Sequence, residues 1–357
     1  MGTVVGAMAD EWVVEIAGRS IGAGQPVYII AELSANHGGD LERAVQIVRE
    51  AAAAGADAIK LQTYTPGDLT LDRREPPFVV GDGTLWAGRT LHDLYAEAAL
   101  PLEWHEPLFT AAAEAGIACF STPFSAERVA FLDDLGAPAH KIASFELVDL
   151  QLIRAAATSG KPLIMSTGMA TEAEIDDALA AAEGSAGVVL LRCVSAYPAP
   201  SDEMDLLTIP AMAERFGRPV GLSDHTRTDT AAIAAVALGA CVLEKHVTLR
   251  RDDGGPDAAF SLEPAELARL VTSVREVEAA LGGVRYGPSP SEEKSLAFRR
   301  SLFVVADIPA GAVLDETNVR AIRPGTGLPP RALPEVLGRR VREHTSAGTP
   351  LSEDLLA

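Results

Sequence analysis

Two histidines, His225 and His246, each end a strand-like run within the stretch GLSDHTRTDTAAIAAVALGACVLEKH, residues 221–246. Val220 to Ser223 and Cys241 to Glu244 read as short buried strands, and Thr230 to Leu238 as an alanine-rich helix joining them. The strands of such a unit run parallel, about 5 Å apart when adjacent. Side chains leaving their C-terminal ends can then converge on one divalent ion. Either histidine alone could equally be a hydrogen-bonded structural residue. The pair is accompanied by Asp224, Glu244 and Lys245, charges at the mouth of otherwise apolar strands that cost stability unless they have a use. Two protein imidazoles leave coordination positions open for water or substrate, as in a catalytic rather than a structural site.

Other strand ends carry polar residues too. In chain order they are Glu32, Asn36 and His37, then Lys60 and Gln62, Thr122 and Phe124, and Lys141, Ser144 and Glu146. Ser166, Ser195, Tyr197 and Ser223 follow before the two histidines. The chain has only five lysines beside twenty-five arginines, and Lys60, Lys141 and Lys245 all fall at strand ends rather than on polar helix faces. Two lysines with several hydroxyls suit a phosphorylated ligand, since ammonium and O–H donors match its oxygens. A buried ion pair with Glu32 or Glu146 would be the structural use of Lys60 and Lys141. A desolvated lysine could form a Schiff base, but the paired histidines favour a metal-assisted carbonyl reaction. The residues therefore point to a metal-dependent enzyme acting on an anionic, phosphorylated small molecule.

The elements that must position these groups follow a regular rhythm. Strands are expected at Val27–Leu33, Asp57–Gln62, Ile117–Ser121, His140–Ala143, Leu163–Ser166 and Val188–Cys193, before the two already described. Helices are expected near Asp40–Ala54, with Asp40 as N-cap, and near Ala126–Leu135, Leu150–Ser159 and Glu172–Glu183. Between the second and third strands runs a long excursion containing Trp86 and helices near His92–Ala99 and His105–Ala115; insertions of this length usually carry function or cover a site. Eight strands, each followed by helical pattern over about 250 residues, predict a (β/α)8 barrel. A doubly wound open sheet is the competitor. Polar residues at nearly every strand end favour the barrel, because an open sheet gathers its site at one switch point. Glu263–Leu281 is the expected last helix. The expected domains are a barrel over 1–285, an exposed linker over 286–297 and a small, mostly irregular β-type domain over 298–357.

The whole sequence has 357 residues, 48% of them hydrophobic, enough for a real core. A net charge of −20 argues against non-specific nucleic-acid or anionic-membrane binding, so an anionic substrate would need a local basic pocket. Cys119, Cys193 and Cys241 lie in apolar runs without metal-type spacing and are expected to be buried reduced thiols, which suits a cytoplasmic protein. No signal peptide or membrane span is expected.

The segments IIAELSANHGG, AIKLQTYTP, CFSTPFS, HKIASFE, LIMSTGMAT, GLSDHT and LEKH, in this order, resemble the nonulosonic (sialic-type) acid synthases. FRRSLFVVADIPAG and RPGTGL resemble their C-terminal antifreeze-like SAF domain, so the likeness spans nearly the whole chain. Within the family, ELSANH, KLQTYTP and the LW…LYAEA…EWH insertion resemble the pseudaminic branch. The resemblance implies condensation of phosphoenolpyruvate with open-chain 2,4-diacetamido-2,4,6-trideoxy-L-altrose, giving pseudaminic acid and phosphate, with Mn2+, Mg2+ or Co2+ required. It implies that His225 and His246 bind the metal, which activates the sugar aldehyde and orients a water. It further implies that Lys60, Thr122, Lys141, Ser144, Ser166 and Ser223 hold phosphoenolpyruvate, and that Glu32, Gln62, Tyr197 and Asp257 lie against the sugar or near the metal. Glu146, two residues after Ser144, is the candidate for moving the water's proton.

Ser195 departs from the asparagine of sialic acid synthases, a difference that also favours the pseudaminic branch. Arg323 in RPGTG matches an arginine that reaches from one subunit's SAF domain into its partner's barrel, implying a domain-swapped homodimer. Two alternatives stand beside this reading. One is an N-acetylneuraminate or legionaminate synthase using another amino sugar. The other is a carbohydrate-binding SAF protein with a vestigial barrel, which retention of both histidines, both lysines and Glu146 disfavours.

Overall fold

The computed structural model describes residues 12–81 and 87–357, so Trp86 lies outside the described residues. Within them the chain divides into two compact units, the division falling between Gly282 and Gly283.

The first unit opens with a hairpin, β1 (Val14–Ile16) antiparallel to β2 (Arg19–Ile21). It turns at Ala17 and Gly18, both with positive φ (51° and 77°), the geometry that matches the twist of two tightly joined strands. Eight parallel strands follow: β3 (Tyr28–Glu32), β4 (Ala58–Thr63), β5 (Ala118–Pro123), β6 (His140–Ile142), β7 (Leu163–Ser166), β8 (Val188–Cys193), β9 (Val220–Asp224) and β10 (Val242–His246). They close in the order β10-β3-β4-β5-β6-β7-β8-β9. Closure excludes the open sheet. These strands are covered on both sides, which is why they read as nearly continuous Val, Ile, Leu and Ala runs.

Each helix presents one apolar stripe to the barrel. In Leu41–Ala53 the buried residues are Ala44, Ile47, Val48 and Ala51, spaced for one face, and the Asp40 carboxylate accepts from the amides of Glu42 and Arg43. The core between strands and helices includes Ile29, Ile59, Leu108, Ile153 and Leu270. A second cluster fills the barrel's lower interior, where Val14, Ile16 and Ile21 of the hairpin meet Tyr28, Ile30, Phe120, Ile164 and Val189. The hairpin thus plugs the floor of the barrel. At Gly221 an added Cβ would stand 2.4 Å from the Val242 carbonyl oxygen and 2.8 Å from Leu191, so only glycine fits that interior position.

The hairpin and one barrel helix escaped the sequence reading. The hairpin lies in what reads as a polar start, and helix Thr208–Phe216 between β8 and β9 has a Pro in its first turn that masks its period. The excursion after β4 is also more ordered than its composition suggests. Val79 and Thr90 form an antiparallel bridge, and the Leu91 amide donates to the Phe78 carbonyl at 2.9 Å. Helices Leu91–Ala98 and His105–Ala115 follow.

The second unit pairs β11 (Ser301–Val304) with β12 (Val319–Ile322). Isolated bridges such as Ile308 to Thr345 and Val341 to Leu356 extend this pairing. Its own core contains Leu302, Val304, Leu314, Val319, Leu351 and Leu356. No helix among the described residues is long and apolar enough to cross a membrane.

Candidate active site

Successive strand residues point to opposite faces, and this alternation sorts the charges at the ends of β9 and β10. Ser223, His225, Glu244 and His246 face a cavity of ≈ 490 Å³ at the C-terminal end of the barrel, whereas Asp224 and Lys245 do not line it. This corrects the placing of Asp224 and Lys245 at the site. The Lys245 ammonium instead lies 2.8 Å from Asp224 Oδ2 and donates to the Thr226 and Thr228 carbonyls at 2.5 and 3.2 Å. It staples the loop that carries His225.

The imidazoles of His225 and His246 stand with ring centroids 5.3 Å apart, inclined at 64°. His225 Nδ1 lies 2.9 Å from the Val194 carbonyl. A carbonyl only accepts, so Nδ1 carries the proton and Nε2 offers a lone pair. Burial first, then the positive charges of His225, Lys60 and Lys245, hold His246 well below the ordinary histidine range. Burial also opposes charge on His225, but pairing with the Cys193 sulfur, 3.8 Å from Nδ1, raises it. The Tyr197 ring lies 4.3 Å from that of His225 and the Phe260 ring 5.1 Å from that of His246, so aromatic groups pack against the pair.

These donors fit a divalent cation. One histidine is oriented by a backbone carbonyl, the arrangement that fixes a ligand's tautomer, and His246 Nδ1 is a buried atom with no partner. No cluster of three or more ligating side chains occurs among the described residues, so further positions would fall to water or substrate.

Below the histidines lies a lysine cluster. Lys60 Nζ pairs with Glu32 at 2.5 Å and Glu244 at 3.7 Å, and donates to Thr122 Oγ1 at 3.3 Å. Lys141 Nζ bonds two neutral oxygens, Ser166 Oγ at 2.7 Å and the Ile142 carbonyl at 2.8 Å. It is 1% exposed. Burial, assisted by Lys60, lowers the Lys141 ammonium, while Lys60 and Lys141 overcome the burial of Glu244 and keep it ionised. Glu32 is pushed up to about 7 by its burial, against the pull of Lys60. A buried ammonium without a close counter-charge is costly until an anion supplies one.

Ser144 Oγ accepts from the Gly168 amide at 3.1 Å. A Cβ on Gly168 would fall 2.4 Å from Ser195 Oγ and 2.8 Å from Ser144 Oγ, so the turn after β7 must be glycine to bring these hydroxyls together. On the β3–β4 side, Gln62 Nε2 donates to Glu32 Oε1 at 3.1 Å and to Ser34 Oγ at 3.0 Å, and Ser34 donates to Asp257. Burial raises the Asp257 carboxyl. Burial also pushes Glu146 up to about 7, opposed by Lys141, and its Oε2 is buried without a partner.

The residues singled out in the sequence gather here with few exceptions. Gln62, Thr122, Phe124, Ser195, Tyr197, Ser223 and Asp257 line the cavity with the lysines, histidines, Ser144, Glu146 and Ser166. Glu32 sits beneath the cavity, fully buried against Lys60. Arg323 belongs to the C-terminal unit, exposed just past β12. Asn36 and His37 correct the expectation that they face the pocket. Asn36 donates to the Val247 carbonyl and Ser261 Oγ, both at 2.8 Å, and His37 Nδ1 accepts from the Gly39 amide at 3.0 Å. Both lie in a 310 turn, Ser34–His37, past the end of β3. The cavity also contains Ser34 and Cys193, which were not singled out as site residues, and Glu244, the one of the three charges expected beside the histidines that does line it. Glu244 precedes His246 by two residues on one strand, so the two share a face. The three cysteines are free and buried, as expected.

A closed (β/α)8 barrel with an imidazole pair above a buried lysine cluster at its C-terminal mouth defines a barrel enzyme for a small anionic substrate. The chain belongs to the NeuB family, whose model matches residues 47–286, and a SAF domain matches residues 299–357. It is 43% identical over 333 residues to a pseudaminic acid synthase of Helicobacter pylori, covering 92% of this chain and 98% of the relative. It is 37% identical to an N,N'-diacetyllegionaminic acid synthase of Campylobacter jejuni, covering 87% and 94%. Among solved structures, an N-acetylneuraminic acid synthetase from Leptospira borgpetersenii, in complex with citrate, aligns with TM-score 0.71 at 33% identity, covering 80% of this chain and 95% of that one.

Proposed function

We propose that this chain condenses phosphoenolpyruvate with open-chain 2,4-diacetamido-2,4,6-trideoxy-L-altrose, releasing phosphate and pseudaminic acid. The observation that carries this reading is Lys141, a buried ammonium bonded to two neutral oxygens and set beside Lys60 and a row of hydroxyls. Phosphoenolpyruvate brings carboxylate and phosphate charges to that place, and Lys60, Lys141, Thr122, Ser144, Ser166 and Ser223 supply donors to them. The synthases among the relatives support the same class of product. A divalent ion held by His225 and His246 would supply Lewis-acid polarisation of the sugar aldehyde.

The enol carbon of phosphoenolpyruvate bonds to the aldehyde carbon, the aldehyde C=O opens to an alkoxide that is protonated to a hydroxyl, and water adds to the cationic C2. Glu146 takes the proton from that water; its carboxyl, pushed up to about 7, can both accept and return a proton near neutrality. The C2–O bond to phosphate then breaks as the C2 hydroxyl gives up its proton to the departing phosphate, leaving the keto acid. Gln62, Asp257 and Tyr197 hold the sugar chain, while Glu32 positions Lys60 from below. In this scheme Ser195 is a cavity hydroxyl against the substrate.

Around the mouth of the cavity Phe145, Val148, Met169 and Leu207 are 60, 59, 63 and 74% exposed. A second copy, crossing over through a linker at residues 286–297 and bringing Arg323, would cover this apolar rim. The three reduced cysteines suit work in the cytoplasm, where phosphoenolpyruvate is available. The test is a panel of amino sugars incubated with phosphoenolpyruvate and Mn2+, with and without chelator, phosphate release measured and products weighed by mass spectrometry. Phosphate with a nine-carbon product of the 6-deoxy diacetamido sugar supports the reading, and release only with an N-acetylated hexose that keeps its 6-hydroxyl overturns it.

A further inference from the structure

The cavity has two unlike halves. Its floor is the lysine and hydroxyl cluster, and part of its upper wall is apolar, formed by Leu69, Val80, Leu91 and Leu94 from the excursion after β4. These four side chains line the cavity yet belong to none of the three hydrophobic clusters that hold the chain together. Apolar groups left facing a binding cavity, outside any core, are free to contact a ligand.

The wall is built to keep its shape. Val80 and Leu91 flank the Val79 to Thr90 bridge, and the Val80 amide donates to the Arg89 carbonyl at 2.8 Å. Leu69 ends a turn of helix, Pro66–Leu69, with Thr65 and Asp68 in a capping box, and Asp68 pairs with Arg128 at 2.9 Å. Tyr64 packs edge-on against Phe124, centroids 5.1 Å apart, and closes the wall beside β5.

Barrel order sets what this wall can touch. In the ring β10-β3-β4-β5-β6-β7-β8-β9, β5 stands opposite β9, and β6 opposite β10. Phe124 past β5 and Phe145 past β6 therefore face the histidines from across the mouth, while the excursion leaves β4 and its helix Leu91–Ala98 packs against the turn past β3, beside β10. The four side chains and both histidines line one cavity, so an aldose with its aldehyde at the histidines can run the far end of its chain along this wall.

We propose that Leu69, Val80, Leu91 and Leu94 form a specificity wall that receives the 6-deoxy methyl end of the amino sugar and discriminates against a 6-hydroxyl. This rests on the proposed condensation and deepens it. A 6-hydroxyl placed against these four side chains loses water partners and finds no acceptor on them. Because the wall is apolar, it reads the absence of a hydroxyl and not the configuration of the ring carbons.

The test compares kcat/KM for a 6-deoxy diacetamido aldose and its 6-hydroxy counterpart, with phosphate release as the readout. The wild type is expected to favour the 6-deoxy sugar by roughly 10- to 100-fold, the range one added hydroxyl gives in an apolar pocket. Val80→Thr, which keeps the side-chain shape, and Leu91→Asn should each shrink that ratio by about 5- to 10-fold. The KM for phosphoenolpyruvate should hold, and preference among 6-deoxy isomers should not move. Equal kcat/KM for the two sugars in the wild type, or an unchanged ratio in both folded variants, overturns the wall while leaving the condensation standing. No phosphate release from either sugar overturns the condensation itself.

Discussion

Replacing Glu146 with glutamine should damage turnover while making the protein relatively more stable at alkaline pH. The carboxyl is held near 7 in the folded chain, chiefly by burial, against 4.5 as its ordinary value. A carboxyl raised by folding contributes stability that is fully present below the unfolded value and is lost as pH rises through the folded one. The wild type therefore gives up stability between about pH 4.5 and 7. The shift corresponds to about 3 kcal/mol, reduced to roughly 2 kcal/mol because the group is partly exposed. Glutamine does not titrate, so the difference in unfolding free energy between Glu146→Gln and wild type should move by that amount in the variant's favour from pH 4 to pH 8. Any fixed cost of burying the amide cancels in this comparison. Turnover should fall by about 10²- to 10⁴-fold, the usual worth of a general base. The wild-type rate should decline on the acid side with an apparent pKa near 7, as the carboxylate that accepts the proton is lost, and the variant should lack that limb. Urea unfolding at several pH values and a pH–rate profile are the assays. A stability difference flat from pH 4 to 8, together with near-normal turnover and an unaltered acid limb, refutes the reasoning.

Lys245→Met leaves the Asp224 carboxylate buried without its ammonium and should cost about 3–5 kcal/mol in urea unfolding. Adding Asp224→Asn should recover more than about 1 kcal/mol as a coupling term, and a single-variant loss below that size would count against the staple. His246→Ala should abolish the rise in melting temperature that Mn2+ gives the wild type, a rise worth about 2.7 kcal/mol at a hundredfold excess over Kd; an equal rise in both proteins means the ion sits elsewhere. Mixing Arg323→Ala chains with His225→Ala chains should restore activity if Arg323 serves the partner's cavity, and verified mixed dimers without rescue would exclude that arrangement. Ile16→Ala, on the hairpin beneath the barrel, should lower stability by about 2–5 kcal/mol with the KM for phosphoenolpyruvate unchanged.

Much of this protein was legible in the residues alone. The eight barrel strands are short apolar runs that must be buried on both faces, and the helices between them repeat an apolar stripe, so their order already implied the barrel. The polar residue at each strand end named most of the cavity for the same reason: the fold gathers those ends at one mouth. Tertiary structure decided which neighbours of those residues share the mouth. Asp224 and Lys245 sit beside His225 and His246 in sequence, yet strand alternation turns them outward, and of the three charges expected at the mouth only Glu244 turns in. Asn36 and His37 were lost to a tight turn that spends their polar atoms on the backbone and on Ser261. The floor hairpin and the apolar wall were not legible as such, because their side chains acquire apolar partners or a ligand-facing surface only once the barrel has closed. Local pattern thus determined the elements and their chemistry, whereas packing across the barrel determined which side chains are spent on structure and which are left facing the substrate.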